Sequence, residues 1–543
     1  MRVFRVFCRN ILTITVSLNP LRPIADKLND GENNAITYDV AYRVGRNQFM
    51  DTMRAILQTH GPHIHLLPIS GHSGGGGIFQ RKPVSGDPVI GLQIAPATEP
   101  NIRHEKSPDI TQIALDEIVL DAQVRRIYAG ASITLDQLNR TLAYEIGAEQ
   151  KVLGADLTSY TYAQVGATFM TGGMGPQRRY FSDSVDSIAL FDGNEIVCLS
   201  GESAQQHAGA YGWSGIVTAV CCHYHALPEN EIAFALPISN DHGDLARLLT
   251  HLCDYCFFEP AANGFKNRQN SNDLVFGIEH ITADAMQLFL QSGDNDLTRR
   301  ARQILNNCKE MNVNGVLFIN AYSDKSTDEF LMQLVDDANS ASPSIAGIAL
   351  DYAEVFNDPE QMRAVREGVP FAARMQSPQG KFSFKGHTDG VVRLNPERAR
   401  ISMESVWQAN DRFVSTLQGY FHNAKNLRGE VLIYGHLNPF GVDPHNRVTL
   451  AADDEEIFDS AVAFVHEQMR SFYRDLDRVC RTTDSIFVGG EKSAASEAEI
   501  FEAFETHSLP RTISDKLAVL SARVQSSSPM FNWRAIHPYN TQN

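Results

Sequence analysis

Three glycine-rich turns, each joined to an apolar segment typical of a β-strand, limit the folds open to this chain. The first lies within residues 64–80, where five of the seven residues from Gly71 to Gly77 are glycine. The other two lie within 153–180 and 209–220. Because glycine has no Cβ and tolerates positive φ, several backbone N–H groups of such turns can converge on one anion. Together the turns predict one extended cofactor with a diphosphate, lying across a β-rich domain.

Two common nucleotide-binding motifs are excluded for the first turn. No GK[ST] sequence follows the glycines, so the turn is not a Walker loop, and the chain has no GxGxxG fingerprint of a Rossmann domain. Taken alone, the turn is also compatible with a flexible surface loop. The presence of two further strand-linked turns favours the cofactor interpretation.

Length, charge and cysteine content define the broad class. A chain of 543 residues exceeds one ordinary core, so two or three domains are expected. The formal net charge of −17 disfavours nucleic acid or an anionic membrane as the main partner. Eight cysteines in this length make no disulfide framework, which indicates reduced thiols in a cytoplasmic protein. A zinc site at the single CxxC pair, Cys253 and Cys256, is the alternative for those two thiols.

The first 20 residues combine arginines with an apolar run, as a secretory signal does. However, Arg9 and Asn10 interrupt the run, and no small-x-small cleavage site follows. No other segment approaches the ~20 apolar residues of a membrane span. We therefore expect no membrane span and favour the cytoplasm over secretion.

The spacing of apolar residues predicts mixed helices and strands up to about residue 225 and longer helices beyond it. The polar, proline-containing segment 225–231 marks the boundary. The predicted helices cover 47–60, 133–147, a segment beginning at 357–368, and about 455–480; the predicted strands cover 63–69, 124–128, 185–191, 195–199, 315–322 and 430–437.

The order and spacing of the three turns closely resemble the FAD-binding domain of the p-cresol methylhydroxylase/vanillyl-alcohol oxidase superfamily, the FAD-linked oxidases. The resemblance covers roughly residues 40–225. It implies that the first turn holds the FAD diphosphate and that the GxxGIVT sequence beginning at Gly212 forms the last turn. The FAD-binding residues that it implies are Ile69, Ser70, Gly71, His72, Ser73, Gly74, Gly75, Asp156, Leu157, Gly166, Thr171, Gly172, Gly173, Gly175, Gly212, Gly215, Ile216 and Val217.

The resemblance suggests a special role for His72. In several branches of the family, a histidine in a GHS or GGHD loop is bonded covalently to the flavin ring, and the sequence Ser70–Ser73 matches that pattern. Other branches bind FAD without such a bond, and Ile69 stands where an arginine often precedes the loop. A covalent bond through His72 and a hydrogen bond from His72 to the loop or the diphosphate are therefore the alternatives.

Two histidines, His436 and His445, are predicted at either end of a turn in segment 434–448. Neutral imidazoles with a later carboxylate suit a divalent metal such as zinc or manganese. The alternative is a surface or packing role for both. The segment resembles the C-terminal domain of the D-2-hydroxy acid dehydrogenases (the D-lactate, glycolate and D-2-hydroxyglutarate type), whose GHxGDGNxH motif supplies two metal-binding histidines. The turn here is two residues longer and lacks GDGN.

The same resemblance implies Glu491 as the third metal ligand. Lys492 stands where that family has its histidine base, which leaves the base unassigned. A lysine acts as a base only when burial or cationic neighbours lower its pKa; as an ammonium it can instead hold a substrate carboxylate.

Residues 363–374 and 381–394 resemble the substrate domain of these dehydrogenases. Arg366 falls on an arginine of that domain, where a guanidinium can hold a carboxylate through two parallel hydrogen bonds. Lys385 lies on the strand predicted beside it, with His387 and Asp389. The alternative for Arg366 is a solvated charge on a helix.

These features predict an α+β flavoprotein. A two-lobed FAD-binding domain of the vanillyl-alcohol oxidase type is expected over 1–228, an antiparallel sheet-and-helix cap (substrate) domain over 229–500, and a segment returning to the FAD domain over 501–543. The predicted activity is FAD-dependent hydride removal from the CH–OH group of a small molecule, with a 2-hydroxy acid as the leading class.

Two other functions stay open. One is a covalent-FAD oxidase of an alcohol, sugar or phenol that uses dioxygen. The other is a degenerate flavin-fold subunit without catalysis, for which the altered GDGN and EHG sequences argue and the intact first turn does not. A homo-oligomer and an electron-acceptor partner also remain open from sequence.

Overall fold

The structure is a computed structural model. It describes residues 2–7, 13–18, 40–44, 48–69, 88–157, 160–177, 180–210, 212, 214–239, 248–249, 251–252, 254–256, 258–261, 264–269, 271–292, 295–341, 352–375, 379–438, 441–490 and 530.

The first part of the chain contains a hairpin and a small parallel sheet. The strands are β1 (Arg2–Phe7), β2 (Thr13–Leu18), β3 (Val40–Arg43), β4 (His65–Ile69) and β5 (Val89–Gln93), and the helix is α1 (Phe49–His60). β1 and β2 pair antiparallel, whereas β3, β5 and β4 form a parallel sheet in that order. Helix α1 connects β3 to β4 and buries Met53 and Ile56 against Leu66 and Ile90, as its helical spacing predicts.

A second sheet of the N-terminal part follows. Its elements are β6 (Asn101–His104), β7 (Glu117–Asp121), β8 (Arg126–Gly130), α2 (Leu135–Glu145), β9 (Gln150–Lys151), α3 (Val165–Thr171), β10 (Val185–Phe191), β11 (Ile196–Ser200), α4 (Glu202–Gln205), β12 (Ile216–His223) and β13 (His225–Ala226). The sheet order is β11-β10-β12-β8-β7-β6, and β9 pairs with β13. A capping box between Thr134 and Gln137 begins α2. β7 was not predicted, since its five residues are all buried and do not alternate.

The C-terminal part is built on one large sheet. Its strands are β14 (Asn230–Ile238), β17 (Leu274–Thr282), β18 (Gly315–Ser323), β19 (Glu354–Phe356), β20 (Phe382–Arg393), β21 (Leu427–Asn438), β22 (Gly441–Ala452) and β23 (Ile486–Gly490), and a separate hairpin comprises β15 (Phe258–Ala261) and β16 (Gly264–Asn267). The order is β19-β14-β18-β17-β21-β22-β20-β23. Every pairing in this sheet is antiparallel, which confirms the predicted sheet type.

Helices cover both faces of the large sheet, but unevenly. They are α5 (Ala283–Phe289), α6 (Asp296–Glu310), α7 (Thr327–Ala341), α8 (Pro359–Met375), α9 (Ala399–Asn423) and α10 (Glu455–Thr483). On one face, α9 and α10 pack over β20, β21 and β22 through residues such as Trp407 and Met469. On the other face, α5, α6 and α8 pack near β14 and β18 through Met362 and Val365. That second face is polar where it reaches β21 and β22, as described below.

None of the helices within the described part of the chain has both the length and the apolar run that a membrane span requires.

Candidate functional site

The second and third glycine-rich turns lie against each other and against the strand that precedes the first. Gly172 ends α3 in the left-handed conformation, and a Cβ on it would lie 3.5 Å from Cα of Gly209. A Cβ on Gly212, whose φ is 81°, would lie 2.4 Å from Cγ of Pro68 in β4. We call Gly172, Gly209, Gly212 and Pro68 the glycine cradle. Its three glycines present backbone groups without a Cβ, as a diphosphate-binding site requires, and the ring of Pro68 closes the side next to Gly212.

The other predicted FAD-binding residues divide into two groups. Ser70, Gly71, His72, Ser73, Gly74 and Gly75 lie outside the described residues, as does the side chain of Ile69, the last residue of β4. Among the rest, Gly166 packs against Ala131, Gly215 against the carbonyl of Phe191, and Ile216 and Val217 are buried in the core. These residues pack the turns against the core of the N-terminal part.

The second turn also contacts the large sheet. A Cβ on Gly175 would overlap the carbonyl oxygen of Asp156, at 1.9 Å, so only glycine fits there. The next residue, Pro176, accepts a hydrogen bond from the backbone N–H of Ile278 in β17, at 3.4 Å. A Cβ on Gly277 would lie 3.5 Å from Oδ2 of Asp156. The N-terminal part and the large sheet therefore meet at Gly277 and Ile278 of β17, next to the buried acidic residue Glu279.

Arg366 of helix α8 lies at this meeting point and is 1% exposed. Its Nε is 3.2 Å from Oε2 of Glu279, and its Nη2 is 3.7 Å from Oδ1 of Asp156. Neither nitrogen makes a hydrogen bond with a described residue. The interpretation of Arg366 as a solvated helix charge is therefore wrong. We call Arg366, Asp156 and Glu279 the arginine site; its guanidinium forms ion pairs with both carboxylates, and a guanidinium is the group that binds a carboxylate best.

Glu367, the next residue of α8, is a titratable group that the sequence did not reveal. Burial raises the pKa of its carboxyl from 4.5 to about 8; Arg366 opposes this shift, and the charges of Asp156 and Glu279 add to it. Its Oε1 has no hydrogen-bond partner among the described residues. A carboxyl group with such a pKa can accept or return a proton near neutral pH. The only sequence signal was its position beside Arg366.

The two predicted metal-binding histidines lie in adjacent strands, His436 in β21 and His445 in β22. The expectation that they lie at the ends of a turn is wrong, because regular pairing continues to Asn438 and Gly441. Asp443 lies directly opposite His436 in the register, and its Oδ2 is 3.0 Å from Nε2 of His445. All three side chains are buried, and one ligand atom of each lies within 4.8 Å of the others.

This trio, the histidine cluster, has the composition of a catalytic metal site with three protein ligands. Asp443 was not predicted. It lies in the lengthened segment between the two histidines. The available sequence signal was a carboxylate side chain between two candidate metal-binding histidines.

Further polar side chains continue along the same face of the sheet. The ring of His387 stacks on that of His445, with the two centroids 5.0 Å apart. The hydroxyl of Tyr434 lies 3.4 Å from Nε2 of His387. Lys385 follows on β20, half-buried and paired with Thr449. Its backbone lies about 13 Å along β20 from Asp389, the residue opposite His445, since each strand residue advances ~3.4 Å.

The predicted Glu491 and Lys492 lie outside the described residues. They follow directly on Gly490, the last residue of β23, which pairs with Gly390 in β20. Asp389, which precedes Gly390 in β20, is paired in the strand register with His445 of β22.

No family model matches this sequence, and no curated protein does either. The fold, in contrast, is similar to several solved structures. p-Cresol methylhydroxylase with substrate bound has a TM-score of 0.56 at 12% identity, covering 93% of this chain and 91% of that one. 4-Ethylphenol oxidase from Gulosibacter chungangensis in complex with isoeugenol has a TM-score of 0.52 at 12% identity, covering 92% and 88%.

Alkyldihydroxyacetonephosphate synthase is a third similar structure, with a TM-score of 0.53 at 12% identity over 82% of this chain and 72% of that one. At such identities the likeness concerns the fold, and it agrees with the architecture predicted from the glycine-rich turns. The chain therefore has the fold of the FAD-linked oxidases of the p-cresol methylhydroxylase/vanillyl-alcohol oxidase type.

Proposed function

We propose that the protein is an FAD-dependent oxidoreductase that removes a hydride from the CH–OH group of a small carboxylic acid, a 2-hydroxy acid being the simplest example. The observation that carries the proposal is Arg366. Its buried guanidinium lies where the glycine-rich half meets the large sheet, and neither Nε nor Nη2 completes a hydrogen bond with a described residue. The solved structures of similar fold are FAD-dependent enzymes, which supports FAD as the cofactor.

FAD suits the glycine cradle because Gly172, Gly209 and Gly212 present backbone without a Cβ where the second and third turns meet. In this proposal the backbone around 172–175 and 209–215 holds the dinucleotide together with the first turn, and His72 is the residue for a covalent bond to the flavin. When bound, the flavin supplies the hydride acceptor. The protein contributes binding and orientation.

Arg366 would hold the substrate carboxylate through parallel N–H···O bonds. Asp156 and Glu279 fix the guanidinium from the protein side, but they also surround the substrate with negative charge. Binding a third carboxylate here is unfavourable unless a cation offsets it. The charge balance therefore favours a bound cation close to the arginine site.

The histidine cluster is the proposed position of that cation, with zinc or manganese as the expected metal. His436, Asp443 and His445 would be ligands, and Glu491 would complete the set. A metal there would polarise the substrate hydroxyl and lower its pKa. Glu367 and Lys492 are the candidates for accepting the hydroxyl proton, and the pKa of about 8 favours Glu367.

We extend the proposal to the division of the chain. Residues 1–228 would bind FAD, 229–500 would form the cap and substrate domain, and 501–543 would return to the FAD domain. The described sheets of the first part end before this boundary, and the large sheet begins at Asn230, which supports the division. A cytoplasmic location and a homo-oligomer or electron-acceptor partner stay predictions.

A phenol or alcohol oxidase is the second candidate. Two proteins of similar fold are named for phenols, p-cresol methylhydroxylase and 4-ethylphenol oxidase. A neutral phenol has no carboxylate for Arg366 to hold, so this candidate leaves the arginine site without a purpose in substrate binding.

Anaerobic flavin bleaching separates the candidates. FAD-loaded protein would be mixed with matched panels of 2-hydroxy acids, their neutral 2-hydroxy amides, alcohols and phenols, while absorbance near the flavin maximum is followed. We expect bleaching by a 2-hydroxy acid and weak or no bleaching by its amide. Bleaching by phenols and by none of the acids would establish the second candidate. If no compound bleached the flavin, a subunit without catalysis would be indicated.

A further inference from the structure

We propose that Glu279 is a positioning residue that couples the arginine site to the histidine cluster by holding Arg366 and His436 with one carboxylate oxygen. The inference rests on the proposed function, because it assumes that His436 binds a metal.

One atom faces both partners. Oε2 of Glu279 lies 3.2 Å from Nε of Arg366 and 3.9 Å from Nδ1 of His436. Glu279 in β17 is directly opposite His436 in β21, so their side chains share a face of the sheet. The contact is therefore set by strand register and does not depend on a surface loop.

The burial of Glu279 argues for a role beyond folding. Its exposure is 0%, and the surrounding strand reads LVFGIEHIT, which is otherwise mostly apolar. Desolvating a carboxylate is expensive, and a buried ion pair seldom stabilises a fold more than apolar residues of the same shape. An apolar side chain at this position would serve the sheet at least as well. The presence of a charged residue here therefore indicates that Glu279 acts on the neighbouring arginine site and histidine cluster.

The chemistry explains what the charge would do for the metal. A metal-binding imidazole commonly presents its second ring nitrogen to a carboxylate, which fixes the ring orientation and makes the other nitrogen a better ligand. Nδ1 of His436 is the nitrogen that faces Glu279, which leaves Nε2 for the metal. The Nδ1···Oε2 distance of 3.9 Å is longer than a hydrogen bond, and a neutral, metal-binding imidazole forms no ion pair, so the interaction is that of an N–H group directed at a nearby carboxylate.

The same oxygen restrains Arg366 through Nε. A guanidinium held at Nε has its remaining donors directed elsewhere in a fixed plane, because the group is rigid. Glu279 would thereby keep Arg366, which would hold the substrate, and His436, which would hold the metal, at a defined separation. Occupancy of the metal site would in turn affect how firmly Arg366 is held.

Glu231 provides a matched control. It also pairs a β-strand carboxylate with an arginine of helix α8, through Arg363, and accepts a hydrogen bond from Asn320. Among the described residues, the partners of Glu231 lie outside the histidine cluster. Glu231→Gln therefore removes the same charge from the same kind of ion pair without affecting His436.

The experiment measures Co²⁺ affinity of the full-length protein by calorimetry and by the visible absorption of bound cobalt. Wild type is compared with E279Q, E231Q and H436A. Thermal melts followed by circular dichroism first establish that each variant is folded. We expect E279Q to bind Co²⁺ about 10- to 100-fold more weakly, with shifted cobalt bands, as for the loss of other carboxylates that support metal ligands. E231Q should bind as wild type does, and H436A should lose the site.

Each outcome decides the question. Equal Co²⁺ affinity of E279Q and wild type, or equal losses in E279Q and E231Q, would overturn the role of Glu279 and leave the proposed function standing. Identical titrations of wild type and H436A would instead overturn the metal site, and this inference with it. Should E279Q not fold, E279D is the substitute: it keeps the charge but moves it, so an affinity equal to that of wild type would contradict the proposal.

Discussion

Gly212 approaches Pro68 so closely that a Cβ on the glycine would lie 2.4 Å from Cγ of the proline. The contact joins the third glycine-rich turn to the strand that leads into the first. We expect Gly212→Ala to weaken FAD binding at least tenfold, because the methyl group forces the two segments apart. The φ of 81° adds strain of about 1–2 kcal/mol for any L-residue.

Gly201→Ala is the control for that strain. Gly201 also has a positive φ, of 55°, but a Cβ on it would meet nothing within 4 Å. The measurement is FAD affinity by fluorescence titration, with thermal melts of both variants. A Gly212→Ala protein that bound FAD as tightly as Gly201→Ala would contradict the proposed glycine cradle.

Substitution of Arg366 should affect acidic substrates selectively. We expect Arg366→Lys to lower kcat/KM for a 2-hydroxy acid by about 10- to 100-fold, the equivalent of one charge-assisted hydrogen bond of ~1.5–3 kcal/mol. The flavin spectrum should not change, since the recorded partners of Arg366 are Asp156 and Glu279. Arg299→Lys, at an exposed position of α6, is the control. An unchanged kcat/KM in Arg366→Lys would remove the main support for an acidic substrate.

Glu367 should make stability depend on pH in a defined direction. Burial raises the pKa of its carboxyl from 4.5 to about 8, so the folded state holds a proton that the unfolded state releases. Its contribution to stability is complete below about pH 4.5 and is lost as pH rises through about 8. Glu367→Gln mimics the protonated form and should therefore gain stability relative to wild type between pH 5 and 9.

The measurement is the difference in melting temperature between the two proteins across that range. Glu310→Gln, at the exposed end of α6, is the control and should give a difference independent of pH. A constant difference for Glu367→Gln as well would show that Glu367 does not titrate as stated.

A buried amide network lies behind the histidine cluster, on the opposite face of the sheet. The side-chain amide of Asn446 donates to Asn410 at 2.6 Å and to Thr388 at 2.9 Å, which joins α9 to β22 and β20. We expect Asn410→Ala to cost about 1–3 kcal/mol in the free energy of unfolding, because the Asn446 amide loses a buried acceptor.

Denaturant unfolding would measure this cost, with Thr416→Ala on the exposed side of α9 as the control. Because His445 is adjacent to Asn446, we also expect weaker Co²⁺ binding in Asn410→Ala. Unchanged stability and unchanged cobalt affinity together would show that the network does not support the histidine cluster.

Local sequence patterns predicted some of the helices and strands, and the resemblance of the glycine-rich turns to those of the FAD-linked oxidases indicated the class of fold. The apolar spacing in α1 and in α10 is periodic, so these helices could be predicted from neighbouring residues alone. Glycine in three ordered turns allows positive φ angles and close backbone contacts that no other residue allows equally well. β7 escaped prediction because a strand buried on both faces shows no alternation.

The site depended on contacts that no local pattern encodes. Glu279 and Arg366 are 87 positions apart in sequence, and only the packing of α8 on the large sheet brings them together. The same is true of Glu279 and His436, whose proximity follows from the pairing of β17 with β21.

The amino-acid sequence thus determined which turns need glycine, where the most strongly periodic helices lie, and which side chains are chemically suited to a metal or a carboxylate. Tertiary structure alone decided that Arg366 is buried, that Asp443 joins the two histidines, and that the pKa of Glu367 rises to about 8. The physical reason is that burial and charge–charge interactions depend on distances in space, which strand register and helix packing set after the chain has folded.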